Sequence, residues 1–287
     1  MSVRISVAIS TLGRPSIGSL LESLVAQKHQ PFEVAIADQG PQGFVQSAAR
    51  PYMSLLQIHI VPSSRGVSIG RNAAAGALSD CDAIFFTDDD CTLTPDVLAL
   101  GAEEFERGTD IMTGRVLSSL GERGQPSVAR RQILDRTNVW SMSLEANMLF
   151  TASSFRTLNG FVESLGVGTK TPWQSGEGTE VLIRAIDSGM NVVHDPAVLV
   201  VEDAEQVDLR QLSRKTRQYA RGTGRVYALH YSLYEHLWIS IRPVAGALLR
   251  ALQGRFRESW LLLNAGIGRL STLTSRSRID APSVSLE

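Results

Sequence analysis

Short apolar runs alternate with helix-like segments over the first 115 residues of the chain. The apolar runs are rich in β-branched and aromatic residues, which is typical of buried strands, and they cover residues 5–9, 32–38, 58–61 and 83–86. Between them, apolar residues recur at helical spacing, as over residues 17–24, where three leucines share one face. Strands that alternate with helices predict an α/β fold with a mostly parallel, doubly wound sheet.

The alternation continues less regularly towards residue 203. Residues 116–136 are polar and predict a loop, either a mobile cover over a site or an ordinary solvated excursion. A further strand is predicted at residues 148–150, and a glycine-rich stretch over residues 160–178 leads into a helix predicted at 180–188. Two short strands, at residues 191–194 and 198–201, are predicted on either side of Pro196.

The chain from Asp208 onward is helical in pattern. Its most apolar part, residues 227–252, is interrupted by Glu235, Arg242 and Arg250, so it is not a simple membrane span of the required length. Aromatic residues flanked by arginines are typical of helices that lie in a membrane interface. The alternative interpretation is a helical lid that packs on the preceding domain.

The charge is distributed unevenly along the chain. The net charge of −1 combines 24 acidic and 15 basic residues in 1–205 with three acidic and 13 basic residues in 206–278. A segment this basic indicates contact with an anionic surface or polymer. The two cysteines lie ten residues apart and form neither a disulfide framework nor a zinc motif, and the first ten residues do not resemble a signal peptide, so we expect a cytoplasmic protein.

Three consecutive acids, Asp88, Asp89 and Asp90, directly follow the apolar run at residues 83–86. The carboxyl end of such a strand is where open α/β sheets bind ligands, and adjacent acids repel unless a cation lies among them. The pattern predicts a divalent cation that bridges to substrate phosphates, with a solvated acidic loop as the alternative. Asp89 is expected to face away from the site, because alternate residues on an extended backbone face opposite sides. The neighbouring acids disfavour a nucleophilic thiolate at Cys91.

Four further motifs lie in a fixed order around this acidic strand end: residues 11–15, 38–40, 66–72 and 176–180. Together with the acids they resemble the family 2 glycosyltransferases of GT-A fold over residues 3–203. Residues 219–225 are similar to a Y-x-R-G-x-G element of family members that assemble bacterial polysaccharides. The resemblance implies a Rossmann-like GT-A domain over 1–205, with a nucleotide-sugar half (1–115) and an acceptor half (116–205). A basic amphipathic helical extension (206–278) and a tail (279–287) follow.

The resemblance also implies roles for the residues that bind the donor. Thr11 and Asp38 are expected to line the nucleoside pocket, with Asp38 accepting the imide proton of a uracil-type base. Arg71 is expected to reach the base or the diphosphate, and Asp88 the ribose or the donor sugar. Asp90 is expected to hold Mn²⁺ or Mg²⁺, which acts as a Lewis acid on the leaving diphosphate.

Two positions depart from the family pattern. Members of this type generally invert the anomeric centre, and their usual base is the Asp of a G-E-D motif, where this chain has Gly178. We therefore predict Glu177 as the base, with Glu180 as the alternative. Where many members have a metal-binding His, this chain has Glu202, a candidate metal ligand.

Two aromatic side chains near these motifs have less specific interpretations. Trp173 is expected either to stack on an acceptor sugar or to fill the core. His194 is expected to be structural.

The resemblance implies transfer of a sugar from a nucleotide sugar, UDP-linked by expectation, to a saccharide or polyprenyl-linked acceptor in cell-surface polysaccharide synthesis. We expect no nucleic-acid partner, and we expect peripheral contact with the anionic inner face of the cell membrane. One alternative is a non-catalytic scaffold of an assembly complex. A sugar-phosphate nucleotidyltransferase is disfavoured, because the turn after the first strand carries a single glycine, Gly13.

Overall fold

A computed structural model describes residues 3–118, 121–122, 130–142, 145–203 and 208–275. Its centre is one ten-stranded sheet, in which the main path runs β3-β2-β1-β4-β9-β6-β10-β5, while β7 pairs with β6 and β8 with β10. The strands are β1 Ile5–Thr11, β2 Val34–Asp38, β3 Ile58–Pro62, β4 Ala83–Asp88, β5 Cys91–Leu93, β6 Ile111–Ser118, β7 Gly121–Glu122, β8 Gln132–Ile133, β9 Asn147–Thr151 and β10 Val192–Glu202.

Strands β1 to β4 pair in parallel, as the alternation of strands and helices predicts, and β6 and β10 are also parallel. Strand β9 enters between β4 and β6 and runs antiparallel to both. Side chains of successive strand residues point to opposite faces. Val7 and Ile9 therefore belong to one buried cluster and Ala8 to the other, so the sheet is covered on both faces.

Helices cover both faces of this sheet and continue into the C-terminal segment. They are α1 Ile17–Val25, α2 Phe44–Ala49, α3 Val67–Gly76, α4 Val97–Glu106, α5 Val139–Met142, α6 Ala152–Thr157, α7 Glu177–Asp187, α8 Leu209–His230, α9 Leu233–Leu252 and α10 Phe256–Leu270, with a 3-10 turn at Arg50–Tyr52. The predicted apolar face of the first helix is confirmed, because Leu20, Leu21 and Leu24 are buried in α1.

Two element boundaries differ from the sequence prediction. Helix α7 begins at Glu177 rather than at residue 180, because Gly176 adopts a left-handed conformation (φ 90°) that turns the chain directly into the helix. The two strands predicted around Pro196 form one strand, β10. The β6–β10 pairing shifts between Asp195 and Leu199, so Pro196, which has no N–H to donate, lies in the irregularity.

The segment predicted as a loop, residues 116–136, is partly regular. Strand β6 continues to Ser118, and two short strands, β7 and β8, follow. Residues 119–120 and 123–129 of this segment lie outside the described part of the chain, as does the predicted tail, residues 279–287.

The C-terminal helices form a layer against the α/β body. Asp208 starts α8 with a capping box, and α8 packs on α7 and on α10. The Trp140 ring lies 4.6 Å from the Tyr227 ring, and Arg136 donates to the carbonyl of His230. In the described ranges, every helix is too short or too polar to cross a membrane.

Candidate active site

A cavity of about 560 Å³ opens at the carboxyl ends of β1 and β4. Parallel strands end at the same edge of a sheet, and this edge is where α/β folds bind ligands. Several parts of the chain line the cavity: the carboxyl ends of β1, β2, β4 and β10, the segments around the starts of α3 and α7, the position before β9, and the first half of α8. The lining residues used below are Thr11, Arg14, Gln39, Arg65, Arg71, Asp88, Asp89, Asp90, Gln174, Glu145, Glu177, Glu202, Lys215 and Tyr219.

The acidic turn is held from the opposite side by the turn after β1. Thr11 Oγ1 donates to Asp89 Oδ2 at 2.5 Å. The Arg14 guanidinium lies 3.4 Å from Asp89 and donates to Asp90. The prediction that Asp89 faces away is wrong. Strand β4 ends at Asp88, and the next two residues form a turn, so the alternation of an extended strand no longer applies.

Arg71 joins two carboxylates at the floor of the cavity. Its side chain is 1% exposed, and it donates to Asp88 at 2.6 Å and to Glu177 at 3.1 Å. Glycine makes this placement possible, because a Cβ at Gly70 would lie 2.1 Å from Ser10 Oγ, so α3 packs directly on β1. Within the described residues, the other oxygen of Glu177, Oε2, has no hydrogen-bond partner. Burial raises the pKa of Glu177, while Arg71 opposes this shift.

Glu180 is separated from the cavity. Its fully buried carboxylate accepts hydrogen bonds from Arg184 at 2.9 Å and lies 3.0 Å from the ring of His230. Burial tends to raise its pKa, but the His230 hydrogen bond and the Arg184 charge outweigh burial, and the pKa is lowered. Glu180 therefore fastens α7 to α8, and this position disfavours its predicted use as the alternative base.

Asp90 and Glu202 approach each other through strand pairing. Strand β5 pairs with β10 so that Cys91 lies opposite Glu202, and the Asp203 N–H donates to the Asp90 carbonyl at 2.8 Å. Both carboxylates line the main cavity and a second one of about 480 Å³. Carboxylate oxygens are the ligands that Mn²⁺ and Mg²⁺ prefer, so this pair fits a divalent ion. Within the described residues, no three acidic, histidine or cysteine side chains already form a metal cluster.

Two predicted ligand contacts are not part of the cavity lining. Asp38 Oδ1 accepts from the N–H of Gly40 at 2.9 Å, which is the geometry of a strand-end turn. Trp173 is half-buried, and the Arg225 guanidinium covers its ring at 4.3 Å. One face of the indole is therefore already used in packing, which favours the core interpretation of Trp173 over acceptor stacking.

Several lining residues were missed in the sequence interpretation. Arg14 belongs to the first motif and lies three residues after the end of β1, so its position could have indicated it. Gln39 lies in the second motif; its amide donates to the carbonyl of Gly66 at 2.9 Å and ties the second motif to the third. Tyr219 begins the motif at residues 219–225, but that motif did not indicate a place in the cavity. Glu145 and Lys215 had no comparable signal, because only the tertiary fold brings them to the cavity.

The glycines of residues 219–225 let α8 approach the loop before α7 and helix α10 closely. A Cβ at Gly222 would lie 2.3 Å from the carbonyl oxygen of Ser175, and one at Gly224 would lie 2.7 Å from that of Arg269. The Ser175 hydroxyl donates to the carbonyl of Tyr219 at 2.7 Å. This contact holds the loop before α7 and the Tyr219 end of the helix together at the cavity.

Two other predictions agree with the structure. Both cysteines are buried and free, and burial, with the charges of Asp88 and Asp90, raises the pKa of the Cys91 thiol, so a thiolate nucleophile is disfavoured. His194 is buried, its ring lies 3.0 Å from the Thr113 hydroxyl, and burial lowers its pKa, as a structural role requires.

Comparison with protein families identifies this architecture. Residues 6–162 match the family described as Glycosyl transferase family 2. The chain belongs to glycosyl transferase family 2. It is a glycosyltransferase of GT-A fold with a C-terminal helical region, as the sequence predicts. No curated protein matches its sequence at a significant level.

Solved structures of glycosyltransferases share the fold. The crystal structure of S. aureus TarS 1-349 in complex with UDP-GlcNAc is 14% identical, with a TM-score of 0.60, over 97% of this chain and 95% of that chain. The mannosyltransferase PcManGT from Pyrobaculum calidifontis in complex with GDP-Man and Mn²⁺ is 15% identical, with a TM-score of 0.61, over 99% and 79%. At these identities the similarity concerns the fold of the chain.

Proposed function

We propose that this family 2 glycosyltransferase moves a sugar from a UDP-sugar to a hydroxyl of a saccharide or polyprenyl-linked saccharide, with inversion at the anomeric carbon. One observation carries the proposal. The cavity at the sheet edge is lined both by the acidic turn Asp88 to Asp90 and by the cations Arg14, Arg65, Arg71 and Lys215. A diphosphate accompanied by a divalent ion needs this combination, because acids bind the ion and cations bind the phosphates.

Different residues are proposed to contact different parts of the donor. Thr11 is proposed to contact the nucleoside, Arg71 the diphosphate, and Asp88 the ribose or the donor sugar. Asp38 is proposed to reach a uracil base after its turn contact with Gly40 opens. UDP-GlcNAc is bound in the TarS complex and GDP-Man in the PcManGT complex, which supports a nucleotide sugar as the donor class.

Asp90 and Glu202 are proposed to hold Mn²⁺ or Mg²⁺. When bound, the ion supplies Lewis-acid stabilisation of the leaving diphosphate. Arg14, which contacts Asp90, is proposed to lie beside the phosphates. Arg71 stays fixed by Glu177 and presents its charge to the donor without a reorganisation cost.

The acceptor hydroxyl is proposed to enter beside Glu177, between α7 and the cavity-lining end of α8. Gln174 and Tyr219 line this side and offer hydrogen bonds and an aromatic face to a sugar. One carboxylate of the cavity must take the hydroxyl proton as the diphosphate leaves from the opposite face. Glu177 is the residue that the sequence predicts for this step, with Glu180 as the alternative.

The basic extension, residues 206–278, is proposed to contact an anionic membrane. Helix α8 packs on the α/β body and lines the cavity, as a helical lid would. Helix α9 instead exposes apolar side chains at spacings of three, four and seven residues: Tyr234, Trp238, Ile241, Leu248 and Leu252, with exposures from 46% at Ile241 to 87% at Leu252. Helix α10 adds Phe256, Trp260 and Ile267. A lipid-linked acceptor would be reached from such a surface.

Turnover of a panel of nucleotide sugars tests the proposed function. We would incubate the protein with Mn²⁺ and, separately, UDP-glucose, UDP-galactose, UDP-GlcNAc, UDP-glucuronate and GDP-mannose, with water or added saccharides as acceptors. Release of UDP above the uncatalysed rate from at least one UDP-sugar is expected. A folded protein that releases nucleotide from none of them would instead fit the non-catalytic scaffold.

A further inference from the structure

The first turn of α7 is built around another acidic side chain. Gly178 is the second residue of this helix, and a Cβ at Gly178 would lie 2.5 Å from Glu145 Cγ and 3.1 Å from Met148 Sδ. Real Cβ atoms do not approach other atoms as closely as 2.5 Å. The Glu145 side chain therefore occupies the volume in which a side chain at position 178 would begin, beside Glu177 in the cavity.

The other cavity acids are already engaged. Asp88 and Glu177 bind the Arg71 guanidinium. Asp89 accepts from Thr11. Asp90 binds Arg14. Glu202 lies with Asp90 on the side of the cavity where the diphosphate and its ion are proposed to bind. A base that accepts a proton from a hydroxyl needs a carboxylate without a tight cationic partner, since a guanidinium holds the charge and lowers basicity.

We propose that Glu145 is the general base of the transfer reaction and that Glu177 positions Arg71 beside it. This inference rests on the proposed function. In the reacting step a carboxylate oxygen of Glu145 takes the acceptor hydroxyl proton, the hydroxyl oxygen forms a bond to the anomeric carbon, and the bond from that carbon to the diphosphate oxygen breaks. The bonding electrons leave with the diphosphate, so charge and atoms balance.

The electrostatics of the pair support this assignment. Burial, and next the negative charge of Glu177, raise the pKa of Glu145 to about 7, while the Arg71 charge opposes the shift. A general base is most effective when its pKa lies near the working pH. The neighbouring groups Arg71, Asp88 and Glu177 face this carboxylate, so the apparent pKa belongs to the cluster.

The decisive experiment compares Glu145→Gln with Glu177→Gln over pH 5.5 to 9. The readouts are UDP release from the UDP-sugar that the wild type turns over and the Kd of UDP. For the wild type we expect kcat/KM to rise with pH through about 7, because the base must be deprotonated. Glu145→Gln should lower kcat by about 10²–10⁴-fold, remove this rise and leave the Kd of UDP unchanged.

Glu177→Gln distinguishes a positioning role from a catalytic one. Removal of its negative charge should move the rise in kcat/KM to lower pH, because the Glu145 proton then binds less tightly. The exposed control Glu103→Gln should match the wild type. If Glu145→Gln keeps the wild-type pH profile, or if Glu177→Gln is the variant that loses the rise, the assignment of Glu145 is overturned and Glu177 is the base.

A rescue variant tests the position of the base. Gly178→Asp alone should fold poorly, because its Cβ meets Glu145 Cγ. Combined with Glu145→Ala, the clash with Cγ is removed and an aspartate can enter the same volume, where Met148 Sδ at 3.1 Å and the Cβ of residue 145 at 3.3 Å remain near its Cβ. The kcat of the double variant should be at least tenfold higher than the kcat of Glu145→Ala alone. A folded, UDP-binding double variant without recovery would contradict the proposed location.

The failure of this inference differs from the failure of the proposed function. A wild type that neither binds UDP nor turns over any nucleotide sugar refutes the proposed function itself. An active wild type whose Glu145→Gln variant is equally active refutes only the identity of the base.

Discussion

Arg71 is a positively charged side chain that is almost completely buried in the site, with 1% of its side chain exposed. It is buried between Asp88 and Glu177, and each of these acids depends on its charge. Breaking a buried ion pair leaves an uncompensated charge, which costs about 3–5 kcal/mol. Arg71→Met should therefore lower the free energy of unfolding by about this amount in urea denaturation at pH 7. The exposed control Arg50→Met should stay within about 0.5 kcal/mol of the wild type, and an equally small effect of Arg71→Met would contradict a buried ion pair.

The sequence indicated those site residues that lie next to the end of an element. Asp88 is the last residue of β4, Asp90 follows two residues later, and Arg71 lies in the second turn of α3, so chain position places them near the ligand-binding edge of the sheet. The orientation of Asp89 was predicted wrongly, because where a strand ends depends on the turn that Thr11 and Arg14 stabilise. Glu145 reaches the cavity through tertiary packing, and no local pattern reports such a contact.

At the scale of elements, the contact between α8 and the loop before α7 depends on the absence of a Cβ atom at Gly222. Gly222→Ala would place a Cβ 2.3 Å from the Ser175 carbonyl, so α8 must move away from the cavity. We expect lower thermal stability and weaker UDP binding. Gly18→Ala in α1 is the matched control, because nothing lies within 4 Å of its Cβ, and this change should be neutral or stabilise by up to about 1 kcal/mol. Equal effects of the two changes would argue against a close α8 contact.

The pH dependence of stability tests the second link between α7 and α8. The folded-state pKa of Glu180 is lowered, so its contribution to stability is present above the unfolded-state pKa and is lost as pH falls through the folded-state pKa. Glu180→Gln should destabilise the protein by about 1–3 kcal/mol at pH 7. The difference from the wild type should shrink as the pH falls below the ordinary pKa of a glutamate and through the lowered folded-state pKa of Glu180. Chemical denaturation at several pH values measures this, and a difference that grows towards acid pH would refute the ion pair.

The order of helices and strands was largely predictable, whereas some of their pairing was not. Apolar periodicity identified β1 to β4 and α1, because each buries a regular face. The insertion of β9 between β4 and β6 is a long-range choice that periodicity does not encode. The single strand β10 was missed because Pro196 suggests a break, while the pairing with β6 accommodates it as an irregularity.

At the scale of the whole molecule, the basic C-terminal segment combines two surfaces. One surface packs on the α/β body through α8, and the other exposes the aromatic and aliphatic side chains of α9 and α10. The charge excess of residues 206–278 was visible in the sequence, but the division of these helices between packing and exposure required the fold. The proposed boundary near residue 205 separates the acidic from the basic part of the chain.

The exposed stripe of α9 gives a prediction for membrane binding. The protein should sediment with vesicles that contain anionic phosphatidylglycerol and dissociate substantially at high salt, because the attraction of surface Lys and Arg is screened. Trp238→Ser combined with Leu252→Ser should weaken binding, while Leu55→Ser, a change at a comparably exposed leucine of the α/β body, should not. A protein that ignores anionic vesicles and instead self-associates through this stripe would contradict the membrane proposal.

Calorimetric titration of UDP into the protein tests the central claim most directly. With Mn²⁺ we expect saturable binding at one site, weakened at least tenfold by chelator and by Asp90→Asn. The exposed control Asp80→Asn should bind as the wild type does. Equal affinity for UDP with Mn²⁺, with chelator and in Asp90→Asn would contradict a donor site built on the acidic turn.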